Sequence, residues 1–296
     1  MGAPKRRILL TGSLGHLGAA VARELAAAGY DLTCIDRRLP DGHPPGVFVR
    51  DDLSDVGRLA GLMNGIDAVV HCAAIPTLHA APEETVFATN VTTTANMLLA
   101  AERVGIRRFV YASSQSVLGF AYATRVIPPD WLPVDETHPC RPVEGYGLSK
   151  RVGEQLCEMV SARSAMTTVV LRFPVIWSHE RFEAHTRKRL DDPVQAAKSQ
   201  WAYVDLRDAA AGCRLASEVL VAHRHSVYNI GAYWPFELVD AAATLRASYG
   251  DVAGLDAVAA SGKTLFDISR AAADLGFRAI WRWSRDGIKN AHVASK

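Results

Sequence analysis

Cysteine is scarce in this chain of 296 residues: there are five, Cys34, Cys72, Cys140, Cys157 and Cys213. They are scattered, odd in number and never spaced as C-x-x-C. That excludes a disulfide framework and a zinc ribbon, and it implies reduced thiols in a cytoplasm. The ten histidines never fall into a metal pattern, so no metal site is expected. Long apolar runs are missing as well. No stretch approaches the roughly 20 apolar residues that cross a bilayer. The apolar run behind the basic "MGAPKRR" is too short for a secretory signal. Met1-Gly2 is no myristoylation signal, because Arg6 stands where Ser or Thr is required. An excess of one charge is also lacking, since 33 Lys and Arg face 31 Asp and Glu for a net +2. Without a long-range field there is no electrostatic argument for nucleic acid or an anionic membrane as partner. No G-x-S-x-G occurs, which leaves a hydrolase elbow unsupported. Internal repeats and low-complexity segments are absent too.

What the chain does hold is apolar substance in a particular rhythm. Hydrophobic residues make up 49% and charged residues 22%, enough for one or two soluble domains with a sizeable core. Short apolar runs at 7–11, 31–35, 47–50, 68–71, 107–114 and 167–173 read as strands. Helical stretches read at 15–28, 82–104 and 146–164, with Gly29 and Gly105 as stops and Pro82 as a start. Strands alternating with helices imply βαβ units, hence an α/β, Rossmann-type, doubly wound parallel sheet covered on both faces. Beyond about residue 172 the rhythm weakens. Residues 173–200 read as polar and irregular, "SVYNIG" as one more strand, and 235–296 as mostly helical. These breaks suggest a cofactor domain over 1–172 and 201–232, and a small, mostly helical substrate region over 173–200 and 233–296.

The first strand runs into "TGSLGHLGAA", where Gly12, Gly15 and Gly18 stand three apart. A glycine inside regular structure costs about 0.5–1 kcal/mol, so three between a strand and a helix call for a reason. One reason is a pyrophosphate cradle. Gly12 permits the tight turn, Gly15 lets backbone approach the phosphates at the helix N-terminus, and Gly18 lets helix and strand pack closely. His16 and Leu17 lie within the same loop. A plain strand–turn–helix is the alternative, because the spacing differs from G-x-G-x-x-G. Asp36, roughly twenty residues on at the end of the second strand, strengthens the cofactor reading. A carboxylate there accepts hydrogen bonds from ribose hydroxyls and repels a 2′-phosphate, favouring NAD over NADP. Arg37 and Arg38 pull the other way, since arginines hold such a phosphate.

The second signal is "YGLSK", which sets Tyr146 and Lys150 four apart on one helical face. An ammonium beside a phenol lowers its pKa and suits it to move a proton. Such pairs are common on helices. This one gains weight because its helix follows a strand ending in "YASSQS", from which Ser114 can reach the same substrate oxygen. Ordinary strand-end capping is the plain alternative for Ser113 and Ser114.

Taken together, these residues resemble the extended short-chain dehydrogenase/reductase superfamily in its NAD-dependent epimerase/dehydratase branch, over nearly the whole chain. The resemblance implies a triad of Ser114, Tyr146 and Lys150, with Tyr146 as acid/base. Lys150 would lower the pKa of Tyr146 and hold the nicotinamide ribose, and Ser114 would polarise the reacting oxygen. It also implies NAD held by Asp52 and Leu53 of "DDLSD", by Cys72, Ala73 and Ala74 of "HCAAIP", by Asn90, and by Phe173 and Pro174 of "LRFPVI". Pro76, Gln115 and Arg181 would join Ser114 and Tyr146 around the substrate, and two subunits would pair through the helices near 83–104 and 146–163. Further landmarks are "WAYVDLRDAA", "YNIG" and "ADLGF".

The departures narrow the function. Family dehydratases carry acidic residues just after the Ser/Thr of this strand, whereas Gln115 and Ser116 follow here. Dehydration is therefore disfavoured, leaving epimerisation or simple dehydrogenation and reduction. The span from "LRF" to "YVD" is short, resembling the uronate-dehydrogenase-like members that act on free sugars, although those carry Asn-His where Gln115-Ser116 stand. The long segment 120–145 is expected either to cover the site or to be structural. Arg181, Arg187, Lys188 and Arg189 read for the most part as a solvated basic surface, with Arg181 the chosen partner for a substrate carboxylate or phosphate. Trp281 and Trp283 read as packing. Three functions stay open: an NAD-dependent dehydrogenase of a small sugar or related compound, a nucleotide-sugar epimerase that keeps its NAD, and a non-catalytic dinucleotide sensor.

Overall fold

The computed structural model describes residues 6–182, 193–236, 238, 240–284 and 287–290. Seven parallel strands form one sheet in the order β3-β2-β1-β4-β5-β6-β9. They are β1 (Arg7–Thr11), β2 (Asp31–Asp36), β3 (Val47–Arg50), β4 (Ala68–His71), β5 (Arg108–Ser114), β6 (Thr167–Phe173) and β9 (His225–Asn229). The order reverses beside β1, which is where the carboxyl ends of an open α/β sheet leave a crevice.

Period-two alternation along the strands builds a core on each face. Ile8, Leu10, Val70, Val110, Val169 and Leu171 point one way. They meet Val21 and Leu25 of α1 (His16–Ala27), and Ala209 and Cys213 of the helix Leu206–Glu218. Leu9, Val69, Phe109, Tyr111 and Val170 point the other way. They meet Leu59 of α2 (Val56–Leu62), Met97 and Leu98 of α3 (Glu83–Arg103), and Cys157 and Val160 of α4 (Gly145–Arg163). Buried on both faces, these strands read as continuous apolar runs, which is why they were legible.

The rest is where expectation and structure part. The irregular stretch after β6 contains a short strand, β7 (Val175–Trp177), parallel to β8 (Tyr203–Asp205). A helical turn at His179–Arg181 (α5) and a helix at Pro193–Lys198 (α6) also lie there. Two helices escaped notice, α2 and α7 (Leu206–Glu218), although each has an aspartate N-cap. Asp55 accepts from the Gly57 and Arg58 amides, and Asp205 from that of Arg207. The tail does carry helices, α8 (Ala241–Tyr249), α9 (Leu255–Ser261) and α10 (Ser269–Leu275). After them the described residues form not a further helix but an antiparallel hairpin, β10 (Trp281–Ser284) with β11 (Gly287–Asn290).

The hairpin forms because "WRWS" alternates. Trp283 turns inward onto Trp177, Phe182 and Tyr203, while Trp281 turns outward and stacks 3.3 Å from the Arg207 guanidinium. The Trp283 amide donates to the Tyr203 hydroxyl at 3.0 Å and its indole donates to Asp205 at 2.9 Å. Both tryptophans are thus packing residues, as expected. Asp208 accepts from the amides of Ile280 and Trp281, and burial pushes its carboxyl up to about 7.

Candidate functional site

The candidate residues gather at the carboxyl ends of β1, β2, β4, β5 and β6. Between β1 and α1 the chain turns through Gly12 at φ +67°, a conformation L side chains rarely adopt. A Cβ on Gly12 would stand 2.7 Å from the Ala73 backbone, and one on Gly18 would run into the Gly12 carbonyl. Close contact among β1, β4 and α1 therefore depends on these two glycines. Gly15 is the N-cap of α1 and supplies no side-chain cap, so the amides of the first helical turn stay open for an anion. Such a cradle, with a carboxylate at the end of β2, fits a dinucleotide.

That carboxylate, Asp36, is 8% exposed. It accepts from the Leu14 amide at 3.1 Å and from the Arg38 amide at 3.0 Å. The Arg38 guanidinium lies 3.6 Å from Asp36 and donates to the Leu14 carbonyl at 2.6 Å, tying the glycine loop to β2. Arg37 is exposed and offers its carbonyl to Arg50. Asp52 is exposed and bonds Ser54, while Leu53 is buried at φ +64° with its carbonyl held by Asn96. Past β4, Cys72, Ala73 and Ala74 are half-buried, and the Ala73 amide reaches Thr11 Oγ1 at 3.3 Å.

Several expected contacts are taken up inside the protein. Asn90, 2% exposed, spends its amide on the Ile75 backbone in both directions and on Ser149 Oγ. It acts as a strut joining the β4 loop to α4, and it holds Ile75 beside the exposed Pro76. Gln115, 4% exposed, gives both amide hydrogens to protein oxygens, Ser199 O at 3.3 Å and Gln200 Oε1 at 2.7 Å. His16 is pushed down to about 4, first by burial and then by the charge of Arg181. Arg181 is therefore felt at the glycine loop. Arg187, Lys188 and Arg189 lie outside the described residues.

The candidate catalytic group, Ser114, Tyr146 and Lys150, is carried by β5 and α4, with β6 alongside. Ser114 ends β5 in register with Phe173 of β6, which is buried and followed by the buried Pro174. Ser114 Oγ caps the short turn Gln115–Leu118 by accepting from the Ser116 amide at 3.1 Å. Across from it, α4 starts at Glu144, which accepts from the amides of Tyr146 and Gly147. In the first turn of α4, Tyr146 sits in an apolar nest with Ile75 and Val86, and Tyr122 packs edge-on at 6.3 Å. Lys150, 4% exposed, donates to the Ala112 carbonyl at 2.7 Å and lies 5.9 Å from the Tyr146 ring centre.

One electrostatic expectation is reversed. Lys150 was expected to lower the pKa of Tyr146, yet the hydroxyl is raised, chiefly by burial and then by Tyr122. The Ser114 hydrogen bond opposes the rise, and Lys150 is not among the causes. The reason is that the ammonium is directed at a carbonyl, and burial pushes Lys150 itself down to about 8.

The residues missed in the sequence support this pair from behind. Glu154, one turn beyond Lys150, accepts two bonds from Arg172, each at 2.9 Å. It also accepts from Ser113 at 2.7 Å and from Arg151 at 3.0 Å. The i+4 spacing from Lys150 was the available signal for Glu154. Tyr122 had none, because its contact crosses 24 residues of chain.

A parallel sheet reversing beside β1, a glycine cradle at that point, and a Ser-Tyr-Lys group at the adjacent strand end define the short-chain dehydrogenase/reductase class. The model of the NAD dependent epimerase/dehydratase family matches residues 8–231, and the chain belongs to that family. The family's cofactor is NAD. Uronate dehydrogenase of Pseudomonas putida is 31% identical over 171 residues, covering 57% of this chain and 60% of that protein. NAD-dependent glucose-6-phosphate dehydrogenase of Haloferax volcanii is 31% identical over 184 residues, covering 58% and 69%. Among solved structures, a short-chain dehydrogenase/reductase superfamily protein from Agrobacterium tumefaciens with bound NAD has a TM-score of 0.68 at 28% identity, covering 94% of this chain and 93% of that one. MoeE5 in complex with UDP-glucuronic acid and NAD has a TM-score of 0.70 at 21% identity, covering 92% and 93%, a likeness of fold. Among the described residues there is no group of potential metal ligands and no helix long and apolar enough to cross a membrane.

Proposed function

We propose that the protein is an NAD-dependent oxidoreductase acting on a small sugar, sugar acid or related hydroxy or carbonyl compound. The observation that carries this reading is the meeting of Ser114, Tyr146 and Lys150 beside the glycine cradle. NAD, when bound, takes the hydride from the substrate carbon or returns it. Gly12, Gly15, Gly18 and Asp36 hold it, with Cys72, Ala73, Phe173 and Pro174 near its reactive end. Tyr146 moves the proton at the substrate oxygen and Ser114 donates a hydrogen bond to that oxygen. Residues 1–172 and 201–232 form the cofactor part, and 173–200 with 233–296 the substrate part. A screen of free sugars and sugar acids with NAD, followed by NADH absorbance, tests this. No turnover of any free sugar, with micromolar binding of a UDP-sugar, would replace it by the epimerase reading. That alternative draws on a putative UDP-glucose 4-epimerase of Methanocaldococcus jannaschii, 30% identical over 182 residues.

Cofactor choice is assigned to Asp36. Asp36→Ala is expected to lower the preference for NAD over NADP by about 10–100-fold. Hydrogen bonds to a charged group are worth about 1.5–3 kcal/mol, and the repulsion of a 2′-phosphate also goes. Comparison of kcat/KM for the two cofactors decides it. A parent enzyme that already prefers NADP would hand the role to Arg37 and Arg38.

Assembly is assigned to α3 and α4, which pack side by side and leave Leu148 and Met159 exposed on α4. Light scattering is expected to give twice the 32.0 kDa of one chain. The double variant Leu148→Glu/Met159→Glu is expected to give a monomer. A parent monomer at micromolar concentration would refute the pairing.

A further inference from the structure

Gln200 stands directly before Trp201, and both carry positive φ, +57° and +49°. Two adjacent non-glycine residues in this region are strained, and such strain persists where surrounding structure over-determines it, commonly at ligand sites. Here the turn is pinned by four backbone bonds. Gln200 N donates to Ala197 O, Trp201 N to Ala196 O, Ala202 N to Ser199 O, and Phe236 N to Trp201 O. The turn delivers the Gln200 amide to Gln115, the residue after Ser114.

The direction of that amide follows from its neighbours. Ser199 O can only accept, so Gln115 must present its NH₂ to it, and the same NH₂ reaches Gln200 Oε1 at 2.7 Å. Gln200 Nε2 is therefore turned away from Gln115. It is buried and has no partner, in a residue only 1% exposed. A buried NH₂ left open is costly and calls for an acceptor from outside the protein.

We propose that Gln200 is a substrate-recognition residue that donates an amide hydrogen to an uncharged oxygen, a hydroxyl or ring oxygen, of a polyhydroxylated substrate. The inference rests on the oxidoreductase reading above and shifts recognition from Gln115, whose donors are spent, to the residue it buttresses. The uncharged donor sets the class, because an anionic group is better met by a guanidinium fork. Gln115 is then a positioning residue, holding the Gln200 side chain in the one orientation that frees Nε2.

Gln200→Glu tests this with little change of shape, since one oxygen still accepts from Gln115 and the donor becomes an acceptor. The NAD-loaded protein is titrated calorimetrically with L-arabinose, D-glucuronate, glucose 6-phosphate and UDP-glucose, and the kinetics of any that react are measured. For a ligand the parent binds, Kd and KM are expected to rise about tenfold, with the loss in KM rather than in kcat. NAD affinity should hold. Binding by Gln200→Glu should recover as the pH falls and the new carboxyl regains a proton to donate. Gln200→Leu should lose the same affinity with no recovery, which keeps the test valid if Gln200→Glu folds poorly. Equal affinity in parent and both variants would overturn the inference alone, showing that the amide bonds water. A parent that binds none of the four ligands would overturn both the oxidoreductase reading and the inference resting on it.

Discussion

Tyr146→Phe is expected to lower kcat/KM by about 10²–10⁴-fold, the usual worth of a positioned proton-transfer group, while NAD binds as before. The substitution is clean because the Tyr146 ring is 9% exposed and packs on Ile75, Val86 and the edge of Tyr122. Phenylalanine keeps those contacts and loses only the hydroxyl. The loss should fall in the chemical step, since the apolar nest that positions the ring is untouched. Burial and Tyr122 hold the hydroxyl in its protonated form, and the Ser114 bond works against them. Ser114→Ala should therefore raise the pH at which activity sets in, besides lowering the rate. Steady-state kinetics across pH, with NAD affinity from fluorescence, supply the measurement. Near-normal turnover by pure Tyr146→Phe would remove Tyr146 from the chemistry.

The largest structural effect is expected from Glu154→Ala. Glu154 and Arg172 are 1% and 3% exposed and share two hydrogen bonds, so solvent screens the pair very little. Removing one partner of such a pair costs about 3–5 kcal/mol, because the other charge is left buried and alone. In a domain of this size that is a fall in melting temperature on the order of 10 °C. The remaining Arg172 bonds go to the Glu136 carbonyl and to Cys140 Sγ, both in the segment 120–145. The damage should therefore spread to that segment, which brings Tyr122 to the site.

The pair also sets an acid limit. Burial alone would raise the Glu154 carboxyl, but the bonds from Arg172 and Ser113 outweigh it and hold the carboxyl below its ordinary value. A depressed carboxylate stabilises the fold above its unfolded pKa of about 4.3 and loses that contribution as pH falls through the lower folded value. Glu154→Gln, which keeps the shape, should flatten this acid dependence. Thermal unfolding of parent and variants between neutral and acid pH checks both statements. An unchanged melting temperature in Glu154→Ala would show that Arg172 finds another partner.

What local chemistry dictates was legible in the chain. Strands buried on both faces have to be short apolar runs, so β1, β4, β5 and β6 stood out before any folding was considered. Gly12 and Gly18 were legible because a sharp turn and a close helix–strand contact admit no side chain. Tyr146 and Lys150 were legible because four residues is one helical turn. The hairpin at Trp281–Asn290 was missed although "WRWS" alternates, since two short strands have no stability until Trp283 finds Trp177 and Tyr203. Other features have no local signature at all. The Glu154–Arg172 pair crosses 18 residues and the Gln115–Gln200 pair 85, and nothing near either residue in the chain announces its partner. The pKa of Tyr146 belongs to the same group. A Tyr four residues from a Lys promises a lowered value, but whether an ammonium faces a phenol or a carbonyl, and how much water reaches either, depends on how β5 and α4 close on each other. Spacing along one element is a local quantity, whereas desolvation and charge pairing are sums over everything that packs around a group.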